Sequence, residues 1–323
     1  MAATSEPGIG VGTWAWGNRF LWGYDPARDA ELRNSFERAT ALGLHFFDTA
    51  DSYGTGRFGG RSEALLGRFC EALPQAERNR LTVATKLAPY PWRLGRRGFQ
   101  RAFAASRSRL RGKLDRIQLH WSTARYAPWQ EGPLLEGLAD LVDRGEVAEL
   151  GMSNMGPRRL RQVHRRLAAR GVRLASLQVQ CSLLAPQALD PGNVADVCAE
   201  LGIQLIAYSP LALGLLGRAP GIEPPAVGGP RGLLFRRLWS GVQPLLREMA
   251  DVAAAHGTSA AAVALNWCRA HGAMPIPGLR RADQVEAAAA VLGWRLDPVE
   301  RARLDDLARR SPVRMPANPF LSD

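Results

Sequence analysis

The feature that most constrains this 323-residue chain is an alternation that repeats eight times. Short apolar runs rich in β-branched residues are each followed by a stretch of helical periodicity, often opened by a capping residue and closed by glycine. Strands are expected at Gly8–Trp14, His45–Ala50, Leu81–Leu87, Ile117–Trp121, Val147–Asn154, Ser176–Cys181, Gln204–Pro210 and Ala273–Gly278. Helices are expected at Pro26–Leu42, Ser62–Leu73, Phe99–Arg111, Leu134–Asp143, Pro157–Ala169, Asn193–Leu201, Val242–His256 and Arg281–Val291. In the first of these Asp25 is placed to cap, Pro26 to fill the first turn and Gly43 to close. Strands that are nearly continuous apolar runs need cover on both faces, which implies a parallel sheet flanked by helices. The even count favours closure into a (β/α)8 TIM barrel. An extra C-terminal helix is expected over Pro298–Arg310, with Asp297 and Glu300 in a capping-box arrangement. The stretch Leu211–Gly241, rich in Gly and Pro, reads as a long loop over the mouth after the seventh strand. No linker or composition step divides the chain, so a single domain over residues 1–323 is expected.

Composition narrows the function classes. No uncharged stretch is apolar enough for a membrane span; the longest, Val252–Cys268, reads as a packed helix. Residues Met1–Gly8 have neither a basic nor an apolar leader region, so a cytoplasmic protein is expected, or a plastid-stromal one if a transit peptide has been removed. The four cysteines form no CxxC pair and have no histidine at metal spacing, so no metal site is expected. The net charge of +12 raises nucleic acid as a partner. Its cations concentrate in Arg93–Lys113 and Arg158–Arg173, which hold eight and seven of them and no acid. Apolar residues at helical spacing, Leu160, Val163 and Leu167 in the second run, turn the arginines to the opposite face. Both runs therefore read as solvated outer helices, and no nucleic-acid partner is expected.

In such a barrel, chemistry belongs to the C-terminal ends of the strands. The second strand ends in Asp48 and is followed by Tyr53, the third ends in Lys86, and the fourth carries His120. These four form a plausible proton-transfer set. Tyr53 could protonate a carbonyl oxygen if Lys86 pulls its phenol down from its ordinary pKa, with Asp48 orienting Lys86 and His120 donating to or aligning that carbonyl oxygen. Lysine here is itself a hint, because the chain has 42 cations of which only Lys86 and Lys113 are lysine. Singly, the four also read as an inter-strand ion pair, a loop aromatic and a core histidine. Gly54, Gly56 and Gly59 spell GxGxxG, but Gly54 lies six residues beyond Asp48 and the next strand ends in Lys86, not in an acid. They read as loop residues and not as a Rossmann turn.

The segments FFDTADSYG, VATKL and IQLHW, which carry these four residues, resemble the signature segments of the aldo-keto reductase family. The resemblance continues in order through GVGTW, GMSN, LQVQ, AYSPLALGLL and PIPG, from Gly10 to about Asp306, in a style similar to bacterial, cyanobacterial and plant-plastid members. It implies a (β/α)8 barrel reducing aldehydes or ketones to alcohols by hydride transfer from NADPH, with Tyr53 as general acid, Lys86 and Asp48 tuning it, and His120 orienting the carbonyl. It also implies Asp48 near the nicotinamide ribose, Ser153, Asn154 and Gln178 on the carboxamide, and Tyr208 stacked on the nicotinamide. Thr13, Trp14, Ser209, Pro210, Leu211, Leu213, Leu215 and Arg218 would line the rest of the coenzyme, with Arg218 near its pyrophosphate. Pro277, Gly278, Arg280, Arg281 and Gln284 would hold its adenosine end, and arginine forks suit a 2′-phosphate.

The chain departs from the family pattern in two places. Ala287 and Ala288 stand where a Glu-Asn pair is common, and GLLGR stands where relatives often have GLLTGK. Two other functions compete with the reductase. In the branch of the barrel that serves potassium channels as a coenzyme-sensing subunit, the histidine position resembles Asn; His120 favours the enzyme. A basic nucleic-acid binder would need both arginine runs to form one face. The substrate pocket is expected at Trp22, Tyr53, His120 and Trp121, with Trp16, Tyr24, Tyr90, Trp92 and Tyr126 as further aromatic candidates for a planar or apolar carbonyl compound. The oligomeric state is not legible.

Overall fold

Eight strands form one parallel sheet in sequential order in a computed structural model that describes residues 8–56 and 59–323. They are β1 Gly10–Gly12, β2 Phe46–Asp48, β3 Thr82–Leu87, β4 Arg116–Leu119, β5 Glu149–Ser153, β6 Leu174–Gln180, β7 Gln204–Tyr208 and β8 Ala273–Ile276. The sheet closes where Gly12 pairs with Gly278 and its amide donates to the Pro277 carbonyl at 2.9 Å. This is the expected (β/α)8 barrel, with most strands shorter than the sequence suggested. The observations on Met1–Gly8 that bear on a leader lie, but for Gly8, outside the described residues.

The helices are α1 Arg19–Trp22, α2 Asp29–Ala41, α3 Arg61–Glu71, α4 Gln75–Arg80, α5 Gln100–Arg109, α6 Pro128–Asp143, α7 Pro157–Ala168, α8 Val194–Leu201, α9 Gly229–Ala255, α10 Ala260–Ala270, α11 Ala282–Ala290 and α12 Pro298–Arg310. The expected capping box is present at the start of α12, where the Asp297 side chain accepts from Val299 and Glu300. The expected loop Leu211–Gly241 is corrected: its second half belongs to α9, a 27-residue helix with Pro244 inside it. The stretch Val252–Cys268 is likewise two helices. Gly257 turns the chain in the left-handed region, and Ser259 caps α10 by accepting from the Ala262 amide. No helix is long and apolar enough to cross a membrane among the described residues.

The large core lies between strands and helices, and a smaller one fills the barrel. Strand residues two apart share a face, so Ile206, Met274 and Phe46 stand below the mouth residues Tyr208, Ile276 and Asp48. They pack as one interior cluster. Arg116 plugs the opposite end, its guanidinium 5.2 Å from the Phe46 ring centroid and bonded to Glu149 and Gln204. Arg116 thus fills the lower end among the described residues, and the cleft opens at the strand C-termini.

In the second arginine run Leu160, Val163 and Leu167 are buried as expected and most arginines face outward, but several of the cations are paired. Arg170 bonds Glu136, Asp140 and Asp143, while Arg96, Arg161 and Arg166 pair with Asp140, Glu200 and Glu136. Many of these cations tie neighbouring helices together and do not form a bare basic face.

Candidate active site

The mouth is a cleft of about 960 Å³. Asp48, at the end of β2, is held from three strands. Lys86 Nζ donates to its Oδ2 at 2.5 Å, and the amides of Gln118 and Gln178 donate to its Oδ1 at 3.0 and 2.8 Å. Lys86 also donates to the Thr49 carbonyl at 2.8 Å. Lys86 and Asp48 are both about 1% exposed, so neither charge could be left unpaired without a cost of several kcal/mol. Burial lowers the Lys86 pKa, and Asp48 opposes the shift.

Tyr53 stands above this pair, with Lys86 Nζ 4.9 Å from its ring centroid. Its ring meets His120 edge-on at 6.0 Å and Trp14 at 6.4 Å. Burial pushes the phenol well above its ordinary pKa, and the Asp48 carboxylate adds to the rise. This reverses the expectation of a lowered pKa: the ammonium is spoken for by Asp48, and desolvation dominates. His120 moves the other way. Burial, and then the Lys86 ammonium, hold its imidazole well below the ordinary value, so it is neutral near pH 7. Its Nδ1 lies 3.3 Å from Ser52 Oγ. The site therefore presents a protonated phenol and a neutral imidazole side by side over a buried ion pair.

Of the other sequence candidates, Trp14, Trp22, Trp121, Ser153, Asn154, Gln178, Tyr208, Ser209, Pro210, Leu211, Leu213, Arg218, Pro277, Gly278, Arg280, Arg281 and Gln284 line the same cleft. Thr13 and Leu215 do not. The Thr13 hydroxyl turns to Ser62 and the Asp48 carbonyl, and Leu215 is packed in the core. Trp16 is also core, its indole donating to the Leu279 carbonyl, and the Tyr24 hydroxyl is engaged by Asp29 and Arg61. Trp92 is 72% exposed and stacks on Tyr90, whose ring meets Trp121 edge-on at 6.1 Å; neither Trp92 nor Tyr90 lines the cleft.

Three contributors were not foreseen. Arg231 of α9 lies over Trp22, 4.1 Å from its ring centroid, and donates to the Leu213 carbonyl. Its Nε is buried with no partner, and burial, with the like charges of Arg280 and Arg218, lowers its pKa to about 10. Asn318 and Phe320 come from the C-terminal strap, which pairs at Ser322 with Met155 and lies across the mouth. Phe320 stacks on Trp121 at 4.3 Å and 19°. Only the mixed Pro and aromatic content of the tail hinted at a role. Among the described residues no group of three or more His, Cys, Asp or Glu could hold a metal.

The match to the aldo/keto reductase family spans residues 8–309. The chain belongs to that family. It is an oxidoreductase by this membership, and it is 44% identical to the chloroplastic pyridoxal reductase of Arabidopsis thaliana over 99% of this chain and 88% of that one. In fold it superposes on the glycerol dehydrogenase of Gluconobacter oxydans with a TM-score of 0.77 at 23% identity, covering 98% of this chain and 95% of that one. An aldo-keto reductase of Klebsiella pneumoniae solved with NADPH gives a TM-score of 0.71 at 24% identity, covering 98% and 94%.

Proposed function

We propose that this aldo/keto reductase reduces planar aromatic aldehydes, pyridoxal foremost, to their alcohols with NADPH. The observation that carries the reading is the Tyr53 phenol, held protonated over the Lys86–Asp48 pair beneath the Trp121–Phe320 wall. The pyridoxal reductase relative, similar over 99% of this chain, supports the substrate class.

The cleft fits the coenzyme. Arg218, Arg231 and Arg280 converge on it with a buried, unpartnered guanidinium Nε among them, which is the donor set an anionic diphosphate requires. Arg280 and Arg281 stand at the start of α11, although Arg281 is bonded to Asp283, an acid that a 2′-phosphate would have to displace. Gln284 caps the Arg280 amide, and the Tyr208 ring offers a stacking face. When bound, the reduced coenzyme supplies a hydride.

Tyr53 would give its proton to the carbonyl oxygen, which takes up the C=O π pair once the carbonyl carbon has received the coenzyme's hydride. The tyrosinate left behind is stabilised by the Lys86 ammonium, which Asp48 keeps charged and aimed. A phenol with a high pKa is a poor acid at rest, so the lysine acts on the product of proton transfer and not on the resting state. Neutral His120 donates a hydrogen bond to the same oxygen without competing as an acid. The aromatic wall of Trp121 and Phe320 suits a flat ring.

The reading is tested by following NADPH oxidation over pyridoxal, benzaldehyde, methylglyoxal and short aliphatic aldehydes, and by identifying the alcohols. We expect kcat/KM to favour the ring-bearing aldehydes by at least about tenfold. Turnover of the aliphatic compounds alone would remove the aromatic-aldehyde assignment.

A further inference from the structure

Asn154 is saturated with hydrogen bonds. It is held in the left-handed region at φ 60°, and its Nδ2 donates to the His120 carbonyl and to Ser153 Oγ, both at 3.0 Å. Its Oδ1 accepts from the Tyr208 hydroxyl at 2.9 Å and from Asn318 Nδ2 at 3.0 Å. An amide has two donor protons and two acceptor positions, and all four are in use. Asn318 Nδ2 also reaches the Tyr208 hydroxyl at 2.6 Å, so three side chains close a small triangle. Two of its corners stand on β7 and just beyond β5; the third is supplied by the strap.

We propose that Asn318 is a positioning residue that fixes the tilt of the Tyr208 ring, and through it the nicotinamide, from the C-terminal strap. The argument rests on the reading that Tyr208 stacks on the coenzyme. A phenol ring held only at its root turns about χ1 and χ2, whereas one whose hydroxyl both donates to Asn154 and accepts from Asn318 has a fixed plane. Tyr208 is half-buried and burial raises its pKa to about 12, so the hydroxyl keeps the proton this arrangement uses. The strap is itself anchored on both sides of Asn318. The Met315 amide donates to the Leu184 carbonyl at 2.9 Å, and the Gly156 amide donates to the Ser322 carbonyl at 2.6 Å. Arg125 donates to the carbonyls of Pro319 and Leu321. Asn318 is therefore presented at one place by a segment anchored on both sides of it, and its own Oδ1, which the Asp variant keeps, accepts from the Phe320 amide at 2.8 Å.

The test compares two ligands by fluorescence titration: NADPH, and 2′-phospho-ADP-ribose, which keeps both phosphate sites and lacks the nicotinamide. Asn318→Asp keeps the size of the side chain but turns its donor into an acceptor facing Asn154 Oδ1; Asn318→Ala removes the group. Both are expected to weaken NADPH binding about tenfold, the effect of roughly one to two hydrogen bonds, and to alter the emission of bound nicotinamide. Binding of 2′-phospho-ADP-ribose is expected to stay within about twofold of the unaltered protein. An Asp variant that binds NADPH normally, or that loses both ligands equally, would overturn the positioning role alone. Failure of the unaltered protein to bind NADPH would overturn the coenzyme reading together with it. If the Ala variant does not fold, the isosteric Asp variant still decides.

Discussion

Tyr53 and His120 stand edge to face in one cleft, and burial moves their pKa values in opposite directions, because desolvation penalises the charged form of each. The phenol stays protonated and the imidazole stays neutral, so neither changes charge over the range in which an exposed histidine would titrate. The sign for stability follows. His120 is neutral when folded and binds a proton when unfolded in acid, so its contribution is present above the unfolded pKa of about 6.5 and is lost as pH falls below it. The expected outcome is that His120→Gln flattens the acid side of the Tm-versus-pH curve between pH 6.5 and 5, where the unaltered protein loses roughly 1 kcal/mol per unit more than the variant. Parallel curves for the two proteins would show that another group carries the acid sensitivity. Asp48, Tyr53, Lys86 and His120 were legible in the sequence because they fall together at the ends of three neighbouring strands, although each alone has an ordinary structural reading. Arg231, Asn318 and Phe320 were not, because only tertiary folding brings α9 and the strap to the mouth.

At the scale of elements, eight strands and the helices that follow them were legible from period and punctuation, and the errors gather at proline. The sequence reading started helices at Leu134 and Val242, beside Pro133 and Pro244. In the structure α6 and α9 begin well upstream and run through those prolines. A proline forfeits one intrahelical bond and crowds one turn, and burial of Leu134, Leu138, Phe235 and Leu246 outweighs that loss. The seam between β1 and β8 is an element-scale constraint of another kind. A Cβ on Gly12 would stand 2.8 Å from the Ile276 carbonyl oxygen, which is backbone and cannot rotate away. Gly12→Ala should force the two strands apart and lower stability by about 1–3 kcal/mol, read as a fall in Tm and in denaturant midpoint. An unchanged midpoint would mean that the seam is slack.

For the whole molecule, the charge balance and the site have separate places. The +12 charge is spread through an arginine-rich shell in which many guanidiniums bridge neighbouring helices, as Arg170 does to three acids of α6. At the mouth the cations are of another sort: Arg218, Arg231 and Arg280 converge where the cleft has room for a nucleotide. Below them Arg116 lies against Phe46 inside the barrel, and the candidate residues face the cleft at the strand C-termini. The fold, and the meeting of the four candidate residues at one mouth, were thus legible in outline, whereas the shape of the mouth depends on segments far apart in sequence. The central claim is that Tyr53 supplies the proton in carbonyl reduction, and a single-turnover measurement reaches it directly. NADPH-loaded Tyr53→Phe is mixed with pyridoxal, and the loss of reduced coenzyme is followed at saturating aldehyde. The account predicts a hydride-transfer rate lower by about a thousandfold or more, with NADPH affinity within about threefold of the unaltered protein. A transfer rate within about threefold of the unaltered enzyme would contradict it.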